Sequence, residues 1–452
     1  MMGCHAPGTR PRAGAAPVVR TDRRLALGLF VLALAARVTF LALEPRTRLV
    51  ADERSWVATA DELRSPAVRF DPLRSALAFY PPLHPYLLAV AREVTGGTTG
   101  AKLVQCFLGA LIAPIVFVVG KRTGGRRVGL ASGLLAALYP ELVWHSVHLW
   151  SEPLFMALLW GAIALALAAD EDGRLGTAAA AGLLLGLAAL TRDPALYFAP
   201  LAALWLATRP PLARSWRLAA ALAVTAVLVV APWSVRNWLR FHAPIPVSLM
   251  GARTFWEGAA RQHQEVIDAY AAVEQAQGPL AAYRTAWREG LAATRARQPW
   301  WLLQQVRDQV PRFWTAVDTA VIHLERRAYG DVRPWAARAV LAATALPHVL
   351  VTAAFLVGLA ALPLTRGRGL LLLFLAYYLA LHLATVGHPR LRLPVLPVAF
   401  VYGAAAVLEA RAGHLRWRKA RLALALLLLA AFAACLALDV PATLAEPVFG
   451  WS

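Results

Sequence analysis

The sequence predicts an all-α protein that crosses a membrane many times, and three observations carry that prediction. Of its 452 residues, 59% are hydrophobic and only 16% charged, with a mean hydropathy of +0.53. That is more apolar surface than one soluble core can hide. Apolar runs such as LALGLFVLALAARVTFLAL (25–43) and KARLALALLLLAAFAACLAL (419–438) approach the roughly 20 residues with which a helix crosses about 30 Å of hydrocarbon. They use Gly and Ala freely and alternate poorly, which fits helices and not barrel strands.

A basic segment, 1–24, comes first; its Arg10, Arg12, Arg20, Arg23 and Arg24 before a long apolar run resemble an uncleaved, cytoplasmic signal anchor. Apolar windows then fall at 25–43, 101–120, 128–146, 149–169, 175–191, 195–208, 216–234, 339–362, 368–386, 391–409 and 419–438, about eleven spans in all. The pair 175–191 and 195–208, separated by LTRDPAL, also reads as one broken hairpin. Short connections rich in Lys and Arg (Lys121 to Arg127, Arg209 to Arg217, Arg366 and Arg368, Arg411 to Arg421) alternate with poorer ones, and the positive-inside rule makes them cytoplasmic. Two long segments then lie outside the cytoplasm, 44–100 and 235–338, the second with the composition of amphipathic, membrane-skirting helices. Residues 410–452 read as a basic cytoplasmic loop, a last span and a short outer tail.

The formal charge of +20 does not indicate nucleic acid, because the arginines are scattered between apolar runs and form no basic groove with aromatics. Cys4, Cys106 and Cys435 contain no CxxC and supply no disulfide framework.

Charges on the outer face stand against the topology rule. Arg192 in TRDP, Arg236 and Arg240 in PWSVRNWLRF, and Arg390 and Arg392 in HPRLRLPVLP, next to His388, all sit close to spans. Such guanidinium groups either bind phosphate through paired charge-assisted bonds or snorkel to ordinary lipid headgroups. Asp52 and Glu53, in LVADERSW, follow the first span, and Glu152 stands in the short turn HLWSEPLF. Each is either a reacting group or a plain loop or helix-start acid. Asp61, Glu62, Asp71 and Glu93 read as solvated. Arg54, Tyr80 and His84 (FYPPLHPYL) and Asn237 complete the candidates for substrate contact, with Arg54 open between donor phosphate and charge balance.

In this order, the acidic pair, YPPLHPYL, LYPELVWHSVHLWSEPLF, LTRDPAL, APWSVRNWLRF and HPRLRLPVLP resemble the polytopic GT-C glycosyltransferases, in particular the bacterial family of protein O-mannosyltransferases and the lipid A aminoarabinose transferase. The resemblance implies a GT-C transmembrane catalytic module over 25–409. It implies inverting transfer of a sugar from a polyprenyl-phosphate donor to a lipid, glycan or protein acceptor, on the extracytoplasmic face of the inner (plasma) membrane. It makes Asp52 the general base, with Glu53 beside it, and Glu152 a second acid near the active centre or a metal. Arg390, Arg392, His388, Arg192 and Arg236 become donor-phosphate candidates. A divalent cation, Mg²⁺ or Mn²⁺, would sit on Asp52 and Glu152, since oxygen ligands suit these ions. Leu391 and His388 depart from the family, which often carries an aromatic and an acid there. The chemistry agrees: an acceptor hydroxyl needs a base, while a phosphate leaving group needs positive charge and no acid. A transporter or flippase of lipid-linked sugars is the alternative; it would favour inverted repeats and mid-membrane charges, and no repeat is evident.

Overall fold

The computed structural model describes residues 15–44, 49–69, 79–261, 263–415 and 417–444; Asp71, residues 1–14 and residues 445–452 lie outside them. The described residues are helical, with no strand. Eight helices are long and apolar enough to cross a membrane: Thr21–Leu43, Thr98–Gly124, Glu152–Asp172, Leu212–Phe241, Pro334–Ala361, Arg366–Ala384, Pro389–Arg411 and Lys419–Ala437. Two shorter apolar helices, Leu175–Ala189 and Pro194–Ala207, accompany them. This is a multi-pass membrane protein.

Of the three expected windows missing from these eight, two are the shorter helices and the third has a local cause. The window 128–146 is broken into Arg126–Leu138 and Pro140–His145 at Tyr139, whose backbone is extended (φ −62°, ψ 121°). Pro140 disfavours the helical conformation for the residue before it and lacks a backbone donor. Leu212–Phe241 runs well past its apolar window, so PWSVRNWLRF is the end of a helix and not a loop.

Small residues bring helices close where no hydrophobic force between them exists in lipid. A Cβ on Gly182 would stand 2.2 Å from the Leu222 carbonyl oxygen, and one on Gly120 2.9 Å from Gly129 Cα. Two spans form the middle of the bundle: 83% of the apolar window of Pro389–Arg411 and 72% of that of Glu152–Asp172 are buried, against 11% for Lys419–Ala437. Both begin with a charged residue of the candidate site, so the most enclosed helices also hold it.

The two ends of the bundle differ. At one, Asp22 pairs with Lys121 (2.5 Å) and Arg126 (3.2 Å), and Asp170 with Arg209 (2.6 Å) and Arg366 (2.8 Å). The other carries the short helices Glu53–Arg64 and Leu83–Thr95, joined through Trp56 and His84 (ring centroids 4.8 Å), and a cap of five helices from Met250–Ala260 to Thr319–Glu325. One cap helix, Trp301–Trp314, exposes Leu302 and Leu303 and buries Gln305 and Gln309. These glutamines donate to and accept from backbone: Gln305 Nε2 donates to the Gly258 carbonyl (3.0 Å), and Gln309 Oε1 accepts from Gly387 N (2.7 Å).

Candidate active site

Asp52 and Glu53 stand at the start of Glu53–Arg64 and part company there. Ala51, at φ +45°, turns the chain into this helix in a conformation uncommon for a residue with a Cβ. Asp52 makes no capping bond; its Oδ2 instead meets Arg390 Nη1 at 2.5 Å, with the side chain 56% exposed. Glu53 is fully buried: Oε2 accepts from Val50 N (2.9 Å), Oε1 from Leu149 N (3.0 Å), and Lys102 Nζ lies 3.8 Å away. Oε1 ties the first outer loop to the turn before Glu152 and Oε2 holds the loop at Val50, so both Glu53 oxygens are engaged by backbone.

Glu152 is the first residue of its span, behind Ser151 and before Pro153. It is 2% exposed, and its Oε1 and Oε2 accept from Arg390 Nε (2.5 Å) and Nη2 (3.1 Å), a two-pronged contact. Arg192 Nη1 donates to the same Oε1 and to Ser151 Oγ (3.1 Å). Beneath Arg390 lies the Trp150 ring, 4.5 Å from Cζ, a cation–π seat that holds the guanidinium in place. The sequence had no distinct signal for Trp150 beyond its neighbourhood to Glu152.

The two arginines of HPRLRL diverge. Pro389–Val395 is a 3₁₀ helix; at about three residues per turn, side chains two apart point roughly 240° from one another. Arg390 therefore faces the carboxylates, while Arg392, 1% exposed, points into the bundle. There its Nε and Nη2 meet Glu141 Oε2 at 3.3 and 3.2 Å and its Nη1 donates to the Thr315 carbonyl. Arg392 is thus held in a buried tie to Glu141, a partner that sequence reading passed over. His388 Nδ1 accepts from Arg390 N (3.1 Å) and caps the 3₁₀ turn; burial, then the Arg390 charge, pulls its pKa down to about 3.

The remaining candidates surround this centre or leave it. Tyr80 stacks on Trp56 (4.3 Å), and burial followed by the Asp52 charge pushes its hydroxyl pKa up. His84 Nε2 bonds the Leu149 carbonyl (3.2 Å), and burial lowers its pKa to about 4. Arg54 Nε donates to the Leu49 carbonyl (3.1 Å) and steadies the loop. Arg236 lies over Trp233 (4.7 Å) and donates to Asn237 Oδ1, and Asn237 Nδ2 donates to the carbonyls of Ile245 and Val247 (both 3.1 Å). That pair pins the turn after its helix. Asp193, beside Arg192, accepts from Ser248 (2.6 Å) and is pushed up to about 6 by burial.

The expected divalent cation meets an obstacle. Among the described residues no group of three or more His, Cys, Asp and Glu could hold one, and Arg390 engages both oxygens of Glu152 and Oδ2 of Asp52. As arranged, the pair does not fit a metal.

A family model described as dolichyl-phosphate-mannose-protein mannosyltransferase matches residues 80–236, a stretch that contains Glu152 and Arg192 and stops short of Arg390. The archaeal oligosaccharyltransferase AglB from Archaeoglobus fulgidus, in complex with an inhibitory peptide and a dolichol-phosphate, superposes with a TM-score of 0.51 at 17% identity, over 92% of this chain and 56% of that one. The apo form of the oligosaccharyltransferase from the same organism gives 0.54 at 16% identity, over 94% and 55%. The fold is that of the GT-C glycosyltransferases. ArnT from Cupriavidus metallidurans in the apo state gives a TM-score of 0.38 at 17% identity, over 88% of this chain and 78% of that one. No curated protein sequence matches the chain. The chain spans just over half the length of the AglB chains it matches. Within this GT-C fold, the two central spans deliver Glu152 and Arg390 to the same end of the bundle as Asp52.

Proposed function

We propose that this protein is a membrane glycosyltransferase that moves a sugar from a polyprenyl-phosphate donor to a hydroxyl-bearing acceptor, with inversion, using Asp52 as general base. The observation that carries the reading is the continuous chain Asp52–Arg390–Glu152–Arg192, at the outer end of the two central spans. Asp52 is its exposed member and so can reach an acceptor, whereas Glu152 is enclosed between two guanidinium groups. In the reaction, the acceptor hydroxyl gives its proton to the Asp52 carboxylate as its oxygen bonds the anomeric carbon from the side opposite the phosphate. The carbon–oxygen bond to phosphate breaks, its electron pair leaving with the phosphate. Arg390 and Arg192 face the growing negative charge, and preorganised cations are the largest usual contribution to such a step. Glu152 acts by aiming both.

The dolichol-phosphate and peptide in the AglB complex support a lipid-phosphate donor and an outward-reaching acceptor of this class. The distribution of basic loops supports a site on the extracytoplasmic face of the inner (plasma) membrane, since the end opposite Asp52 carries Lys121, Arg122, Arg126, Arg209 and Arg366.

The test uses purified protein with a panel of polyprenyl-phosphate sugars. Asp52→Asn should cost about 10²–10⁴ in rate while donor binding persists. Equal transfer by wild type and Asp52→Asn removes the base role, and no transfer with any donor refutes the reaction class.

A further inference from the structure

Two carboxylates at a sugar-phosphate site invite a divalent cation, yet here a guanidinium lies between them. Arg390 spends Nη1 on Asp52 (2.5 Å), Nε on Glu152 Oε1 (2.5 Å) and Nη2 on Glu152 Oε2 (3.1 Å). Arg192 adds a second donor to Glu152 Oε1, so two negative charges face two positive ones. Charge-assisted bonds of this two-pronged kind are the strong ones among hydrogen bonds. The guanidinium is also fixed from outside the pair, by Trp150 beneath it and by the bond from its backbone nitrogen to His388. An Mg²⁺ or Mn²⁺ ion needs close oxygen ligands in near-octahedral geometry. To take Asp52 and Glu152 it would have to expel Arg390, break three bonds to carboxylate, and strand a guanidinium whose side chain is only 16% exposed.

We propose that Arg390 is the resident cation of this site, filling the place between Asp52 and Glu152 that a divalent ion would take, so that sugar transfer needs no metal. The first half of that statement concerns occupancy alone; the second rests on the proposed transferase function.

Manganese is the probe, because free and bound Mn²⁺ differ in their electron paramagnetic resonance signal. The full chain, purified in detergent and stripped with a chelator, is titrated with Mn²⁺ as wild type, Arg390→Ala, Arg390→Gln, Asp52→Asn and Arg390→Ala/Glu152→Gln. Wild type should show no site that Asp52→Asn removes. Arg390→Ala, which leaves the carboxylates facing each other, should bind Mn²⁺ at least about tenfold more tightly than wild type, and Glu152→Gln added to it should abolish the gain. Arg390→Gln keeps the length of the side chain and serves should the alanine variant misfold. Wild-type binding that Asp52→Asn removes, or no gain in either Arg390 variant, overturns the assignment. Separately, wild-type transfer should survive chelation; a loss restored by Mg²⁺ or Mn²⁺ overturns metal independence. If no donor is turned over at all, the transferase reading fails while the manganese titration still decides which cation the carboxylates hold.

Discussion

Replacing Arg392 by methionine separates two readings of the HPRLRL turn. In the structure Arg392 and Glu141 are 1% and 2% exposed and meet through Oε2 at 3.2 Å, while Glu141 Oε1 has no hydrogen-bond partner. Removing the guanidinium strands a buried carboxylate whose Oε2 loses both its bonds to Arg392, and breaking one side of such a pair costs about 3–5 kcal/mol. An unfolding entropy of roughly 2.1 cal/mol/K per residue, over a chain of this length, turns that into a fall in Tm of about 3–5 °C. The assay is thermal unfolding of the detergent-purified protein alongside donor KM. Arg392→Met should lower Tm by that amount and leave KM for the fraction that stays folded near the wild-type value. Adding Glu141→Leu should recover most of the loss, because an apolar pair of similar volume removes the stranded charge, apart from the donor lost by the Thr315 carbonyl. An unchanged Tm together with a weakened donor KM would refute this and return Arg392 to the phosphate site.

Two further outcomes follow from the same geometry. Glu53→Gln puts an amide donor against Val50 N or Leu149 N, and should cost about 1–3 kcal/mol of stability while sparing most of the transfer rate; rate loss like that of Asp52→Asn, at unchanged Tm, would make Glu53 the reacting acid. Asp318 caps Thr319–Glu325 by accepting from Val321 N (3.0 Å), and burial raises its pKa from 3.8 to about 6. A raised folded-state value means stability that is full below the unfolded value and lost as pH rises through the folded one. Asp318→Asn should therefore match wild type near pH 4 and exceed it by roughly 2–3 kcal/mol near pH 8, read as Tm against pH; a constant difference would contradict the shift.

The bundle was largely legible from sequence, because a span is written in some twenty consecutive residues and needs no partner to be recognised. The errors fall where tertiary or backbone details decide. Pro140 cut an apolar window that hydropathy alone reads as continuous, and Leu212–Phe241 outran its window where Asn237 bonds the following turn and Arg236 bonds Asn237. The cap helix Trp301–Trp314 shows the limit of amphipathic reasoning. Its buried face carries Gln305 and Gln309, which serve backbone groups at Gly258 and Gly387, and its exposed face carries leucines. In a chain that leaves the membrane and returns to it, apolar no longer means inside.

The charged residues of the site stand together as the sequence groups them, but the structure gives the members of each pair different surroundings. Position along the chain brought Asp52 and Glu53 together, and Arg390 and Arg392, as if each pair shared one task. Yet neighbours on a helix start lie about 100° apart, and residues two apart on a 3₁₀ turn are rotated by roughly 240°, which leaves them about a third of a turn apart. One member of each pair then faces the site while the other is turned into the protein, where only a polar partner makes it tolerable: Val50 and Leu149 backbone for Glu53, Glu141 for Arg392. The inward members hold the outward ones still, Glu53 by tying the first loop to the turn before Glu152, and Arg392 by fixing the 3₁₀ turn on Glu141 and Thr315. A motif of two like residues can thus be one reacting group and its anchor, and what tells them apart is the helical pitch between them, which a count of charges does not contain.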